Sequence, residues 1–212
     1  MKILQVDHLS GAVHEDTADS FNHLPHTNHK DGKYRLRRYS VIELRTSFWD
    51  AKEEAVIELM SHREFTQSED YNKHQGGEVR NFEDIENSVL QSDGMKEICL
   101  AFKHANDLTD GQEIEIHQMR VVTQEDGTAK ASPEGVHQDG FDYIAMVGVN
   151  RTDVEGGELL LHENKKSDPF MRYVLKDGEM ITLMDNKLWH NASPLRSETR
   201  GHADWFILCA NK

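Results

Sequence analysis

The sequence predicts a mainly β protein with helices added (α+β): a C-terminal antiparallel sandwich or barrel of the jelly-roll kind, with a helical N-terminal half packed on it. Three observations point there. Beyond residue 112, short strand-like runs follow one another with no helical stretch between them, as antiparallel all-β architectures require. Gly, Asp and Pro punctuate those runs at turn positions, for example at Gly156-Gly157 and Asp177-Gly178. Before residue 112 the chain holds two stretches of helix-forming composition. At 212 residues and 24.4 kDa it can form one domain with a sizeable core. We read residues 1–111 as helical and strand support and 112–212 as the jelly-roll core.

The elements follow in order. Gly11 to Asp31 is polar, with weak periodicity, and reads as surface loop. It and the preceding segment hold five histidines (His8, His14, His23, His26, His29), whose spacings match no metal template. Tyr34 to Leu44 alternates as a strand. Asp50 to Ser61 is rich in Ala, Glu, Leu and Met behind a capping Asp, which predicts a helix. A second helix is expected over Gly94 to His104, with Met95, Ile98, Cys99 and Phe102 forming a core stripe. Glu113 to Val122 alternates polar and apolar as a half-buried strand. Phe141–Val149, Glu158–His162, Tyr173–Leu175, Met180–Met184 and Ala203–Ala210 complete the strand series. Trp189 and Trp205 are expected to line the core or a cleft wall.

Composition excludes several function classes. Acidic residues outnumber basic ones 38 to 24, a net charge of −14. Nucleic acid and anionic membranes are bound chiefly through positive surface, so neither is expected as a partner. The longest apolar stretch, Tyr143–Val149, falls far short of the roughly 20 residues of a membrane span. The first residues lack the apolar run of a signal peptide. The two cysteines, Cys99 and Cys209, have no metal-ligand spacing and suggest no disulfide framework. A reduced, cytoplasmic enzyme acting on a small molecule is the expectation.

The chemistry concentrates in His137, Asp139 and, 51 positions beyond Asp139, His190. A His-x-Asp pair with a distant His is the sequence form of the 2-His-1-carboxylate triad that holds non-haem Fe(II) and leaves coordination positions open. Residues i and i+2 on a strand project to one face, so His137 and Asp139 can grip one ion while the third ligand arrives from another strand. Thirteen histidines make a lone His-x-Asp pair a weak signal. Context strengthens it. A Pro133-Glu134-Gly135 turn precedes the pair and a strand-like run follows, while His190 comes just after an apolar run and a polar turn. Both parts of the triad therefore fall at strand ends, where functional groups on a rigid sheet tend to sit.

Five segments in order, Gly76–Phe82, His117–Arg120, Pro133–Gly140, Gly156–Glu158 and His190–Leu195, resemble the Fe(II)/2-oxoglutarate-dependent oxygenases, in particular the bacterial free-amino-acid hydroxylases. The resemblance implies a double-stranded β-helix (jelly-roll, cupin-like) fold with His137, Asp139 and His190 as iron ligands at its mouth. It also implies 2-oxoglutarate and O2 as cosubstrates, ascorbate as reductant, and hydroxylation of an unactivated C–H bond of a small molecule, a free L-amino acid. In such enzymes an Arg some ten to fifteen positions past the second His binds the far carboxylate of 2-oxoglutarate, which points to Arg200, ten beyond His190; Arg196, six beyond, is the second choice. The chain departs from the group in carrying Ala203 where those enzymes have Arg before the equivalent of Asp204. Arg120 and Arg80 are candidates for a substrate carboxylate or for structural ion pairs. His117 is either support for the site or a satisfied buried histidine. Two other readings use the same residues: a non-catalytic metal-binding jelly-roll sensor, and a zinc hydrolase, for which no obvious general base accompanies the triad although Glu134 is close by.

Overall fold

The computed structural model describes residues 2–69, 71–72 and 74–212. A seven-stranded antiparallel sheet forms its spine. It is built from β1 (Leu4–His8), β2 (Arg35–Trp49), β3 (Lys52–Leu59), β4 (Gln112–Val122), β6 (Tyr143–Thr152), β10 (Glu179–Met184) and β13 (His202–Ala210). Their spatial order is β1-β10-β6-β13-β4-β2-β3. Opposite it, β8 (Leu159–His162) lies between β9 (Met171–Tyr173) and β11 (Trp189–Ala192), and a further small sheet joins β5 (Thr128–Ala129), β12 (Leu195–Arg196) and β7 (Glu155–Gly156). This is the expected jelly-roll barrel.

Alternation along the strands feeds two separate cores. On β13, Ala203, Trp205 and Cys209 join the cluster inside the barrel, with Val121, Ile144, Leu161 and Ile181. The alternate residues Phe206, Leu208 and Ala210 face the other way, into a cluster with Ile98, Phe102 and Ile116. Both faces of the central strands are therefore buried, and each fully buried residue of Phe or Ile size contributes roughly 1.5–3 kcal/mol. The outer core is closed by α1 (Ala12–Thr17), a 3-10 turn (Ala18–His23), α2 (Asn87–Leu90) and α3 (Asp93–Asn106). α3 covers the predicted Gly94–His104. Ser92 caps it by accepting from the Met95 N–H at 3.2 Å, and Asp107 ends it in a left-handed conformation, φ 49°. None of these helices is long and apolar enough to cross a membrane.

Two expectations are corrected. Asp50–Ser61 forms no helix: Trp49 pairs with Lys52, and β3 returns along β2 as a hairpin. Asp50 and Ala51 both take positive φ, 50° and 63°, the backbone a two-residue hairpin turn demands. Ala55 and Ile57 then fall on the buried face of β3, and this pairing overrides the helical propensity of the segment. The Gly11–Asp31 stretch is also more ordered than a surface loop, because Val13, Phe21 and Leu24 anchor it in the outer core. The Phe21 ring meets Phe206 edge-on at 5.1 Å. Cys99 and Cys209 are free and buried.

Candidate active site

The barrel brings His137 and His190 together through the backbone before any side chain is considered. Each donates its N–H to the other's carbonyl at 2.9 Å, so the segment carrying His137 extends the β11-β8-β9 sheet by one bridge. Residues directly opposite in such a pair project to one face, and the two ring centres lie 4.4 Å apart with the planes tilted by 58°. Asp139 sits two residues on. Its Oδ1 is 3.5 Å from His137 Nε2, and its Oδ2 is 3.3 Å from His190 Nε2. One ligand atom from each of the three lies within 4.8 Å of the others, the geometry of a metal-binding group. None of the five early histidines joins this cluster.

The surroundings orient these atoms. His137 Nδ1–H donates to the Gly135 carbonyl at 2.8 Å, which points Nε2 toward the centre. His190 Nε2 is buried without a hydrogen-bond partner among the described residues, an orphan that a metal would satisfy. Gln67 donates to Asp139 Oδ1 at 3.1 Å. Behind the triad, the fully buried Asp185 carboxylate accepts from the backbone N–H groups of Asp139, Gly140 and Phe141 at 3.0, 2.8 and 3.1 Å, fixing the bend after the His-x-Asp pair.

Charge follows the same plan. Burial resists a proton on His137, but the Asp139 and Glu134 carboxylates outweigh it and lift the ring to about 9. Burial and the neighbouring His137 push His190 down to about 3. Burial alone would raise Asp139, yet the two histidines hold it below the usual carboxylate range. One half-buried carboxylate between two buried imidazoles is a ligand set in which a divalent cation replaces the proton. The donors fit Fe(II).

The triad opens into a cavity with two distinct ends. Inside the barrel its wall is apolar, from Ile144, Met146, Leu159, Leu175 and Trp205. Toward β2 it is cationic, with Arg35, Arg37 and Arg80. Arg35 is compensated, bonding Asp31 at 2.6 Å with Glu134 at 3.8 Å. Arg37 has no such partner among the described residues: Nη2 reaches only the Met119 sulfur at 3.3 Å, and the guanidinium lies 5.4 Å from the centre of the Phe82 ring. Burial first, then Arg35 and Arg80, bring its pKa down to about 9. Among the described residues the Arg80 side chain bonds only the amide oxygens of Gln75 (3.1 Å) and Gln67 (3.0 Å), and it stacks on Phe65 at 4.5 Å. Gln67 therefore links Arg80 directly to Asp139.

Other expected site residues land elsewhere. Arg120 lies outside the cavity, in a bidentate buried pair with Asp204 at 2.7 and 2.8 Å, so the structural alternative describes it. Arg196 and Arg200 are exposed and outside the cavity wall. Leu195 takes the inward position on β12, which turns Arg196 outward, and Arg200 lies in the turn before β13. His117 lines the cavity, tilted against Tyr39 at 4.8 Å and edge-on to Phe65 at 4.7 Å. Trp205 is in the wall, as expected. Sequence reading missed Arg37 and Gln67. The Arg35-x-Arg37 spacing, two arginines on one strand face in an acidic chain, is the signal that was there to be used. Gln67 lies in an irregular loop and carries none.

Comparison with known proteins gives the same picture. A curated L-isoleucine-4-hydroxylase from Bacillus thuringiensis is 25% identical over 148 residues, 66% of this chain and 61% of that protein, so this chain matches about three-fifths of its relative's length. The crystal structure of a bsmA homologue from Methylobium petroleophilum superposes with a TM-score of 0.75 at 25% identity, covering 94% of this chain and 81% of the other. The crystal structure of IDO from Bacillus thuringiensis gives 0.70 at 18% identity, covering 98% and 89%, a likeness of fold. The sequence model of the 2OG-Fe dioxygenases matches residues 18–209, most of the chain and the whole triad, and the chain belongs to that family.

Proposed function

We propose that the chain hydroxylates a carboxylate-bearing small molecule, a free L-amino acid, with iron held by His137, Asp139 and His190. When bound, Fe(II) with 2-oxoglutarate and O2 supplies the oxidising chemistry, including decarboxylation of 2-oxoglutarate to succinate. The residues of this chain do the rest. The two Nε2 atoms and the Asp139 carboxylate would hold the metal, in a triad that lines the cavity. Gly135 fixes the His137 tautomer, Gln67 and Asp185 hold the Asp139 segment, and the apolar barrel wall limits water around the metal.

The observation that carries the substrate reading is Arg37. A buried guanidinium with no carboxylate partner among the described residues is costly, and a bound anion at the cavity's cationic end would relieve that cost. With Arg80 beside it, a carboxylate can be received bidentately while the rest of the molecule extends toward the triad. The isoleucine-hydroxylating relative supports the amino-acid class.

Succinate formation from 2-oxoglutarate, measured with Fe(II), ascorbate and O2 across the common L-amino acids, tests the reading. One or a few amino acids should stimulate turnover. Arg37→Leu should raise their KM by about 10- to 100-fold, the equivalent of one charge-assisted contact, and leave 2-oxoglutarate binding unchanged. No response to any amino acid, in a protein that still binds 2-oxoglutarate, would move the substrate to another class.

A further inference from the structure

2-Oxoglutarate carries a second carboxylate two methylenes from the end that chelates a metal. In this protein that group has to be housed beside a triad whose barrel-side wall is apolar. An unpaired carboxylate among apolar side chains is strongly disfavoured, so a cation must reach it, and neither Arg200 nor Arg196 does. We propose that Arg151, on β6, binds the distal carboxylate through a gap in the wall left by Gly157. The inference rests on 2-oxoglutarate being the cosubstrate, as family membership implies.

Three observations carry it. The first is register. Arg151 pairs directly with Ala203 on β13, and Ala203 pairs with Val121 on β4. Cross-strand partners project to one face, and Ala203 and Val121 both belong to the cluster filling the barrel. Arg151 is thus aimed inward, and the small side chain at position 203 leaves room for its stem. The second is an unsatisfied donor. Nη2 of Arg151 donates to the Gly156 carbonyl at 2.7 Å, which pins the guanidinium, whereas Nη1 is buried and has no partner among the described residues. Burial depresses its pKa and Asp177 opposes this, without making an ion pair.

The third observation is Gly157, which lines the cavity at φ +65°. A Cβ there would lie 3.4 Å from Arg151 Nη1, 2.6 Å from Leu195 Cδ2 and 3.5 Å from Trp205 Cζ2. Any side chain at this position would stand between the guanidinium and the cavity. Gly157 is therefore both a turn residue and a window. The cation lies one strand over from position 203, at the same level of the barrel.

The test measures binding of 2-oxoglutarate and of 2-oxopentanoate, which has a methyl in place of the distal carboxylate, to the Fe(II)-loaded full chain without O2. The charge-transfer absorption of the chelate reports binding, and chelator competition reports iron affinity separately. Wild type should prefer 2-oxoglutarate by about 10- to 100-fold, the range of a charge-assisted pair. Arg151→Met should abolish the preference while iron affinity and 2-oxopentanoate affinity stay close to wild type. The double variant R151M/A203R, which returns a guanidinium to the neighbouring strand, should recover it. A preference that survives R151M overturns the proposal. So does an equal loss of both ligands, which a merely structural role would produce, or a preference abolished by R37L instead. If wild type bound neither oxoacid, the cosubstrate reading itself would fall.

Discussion

Replacing Arg120 decides whether a buried arginine near the candidate active site belongs to the chemistry or to the scaffold. Its Nε and Nη2 donate to both oxygens of Asp204 at 2.7 and 2.8 Å, and Nη1 donates to Asn22 at 2.9 Å, tying β4 to β13 and to the N-terminal segment. Asp204 is 0% exposed. In Arg120→Met the carboxylate would keep only His202 nearby, at 3.7 Å. Breaking one side of a buried pair typically costs about 3–5 kcal/mol, because the remaining charge is left uncompensated. With a urea dependence of about 2–3 kcal/mol per molar, the unfolding midpoint should fall by about 1–2.5 M. Arg120→Met/Asp204→Leu should regain most of that loss, since an apolar pair of similar volume removes the orphaned charge. Iron and 2-oxoglutarate affinities, measured well below the transition, should match wild type. An R120M protein that is as stable as wild type but deficient in ligand binding would refute the ion-pair assignment.

Three further outcomes are expected. His137→Ala or Asp139→Ala should abolish Fe(II) binding in anaerobic titration, and unaltered affinity in both would remove the triad. Gln67→Leu deletes the donor to Asp139 and the acceptor for Arg80, and should weaken Fe(II) binding by about 10- to 100-fold in chelator competition; unchanged affinity would mean that the Gln67 contact is incidental. His117 gives a pH signature: burial, then Arg37, holds its pKa well below the ordinary value, whereas the unfolded chain takes a proton near 6.5. The unfolded state then binds more protons, so the contribution of His117 is complete above about pH 6.5 and falls below it by up to about 1.4 kcal/mol per unit. Urea midpoints of metal-free wild type and His117→Phe at about pH 7.5 and 5.5 should show a shallower acid loss in the variant, and parallel losses would dismiss the assignment.

The sequence by itself determined what local pattern can encode. Alternation and turn residues specified most of the strands after residue 112 and the fold class, and a stripe at helical spacing specified α3. The His137-x-Asp139 pair was legible from its spacing, although only His137 makes a β-bridge and Asp139 lies in the bend beyond it, and its partner His190 was legible because a strand signal ended just before it. Pattern failed at β3, where hairpin pairing through Asp50-Ala51 outweighed helix propensity. Tertiary structure alone decided where the arginines point. Arg120, Arg151 and Arg37 all lie on strands, yet one faces Asp204, one the barrel interior and one the cavity's cationic end. A guanidinium's role is set by which charge lies across from it on another strand. That pairing depends on register between segments far apart in the chain, for which a single sequence carries no local mark. Ala203 shows the same limit: as a sequence position it is a missing arginine, and only the alignment of β6 with β13 places Arg151 directly beside it.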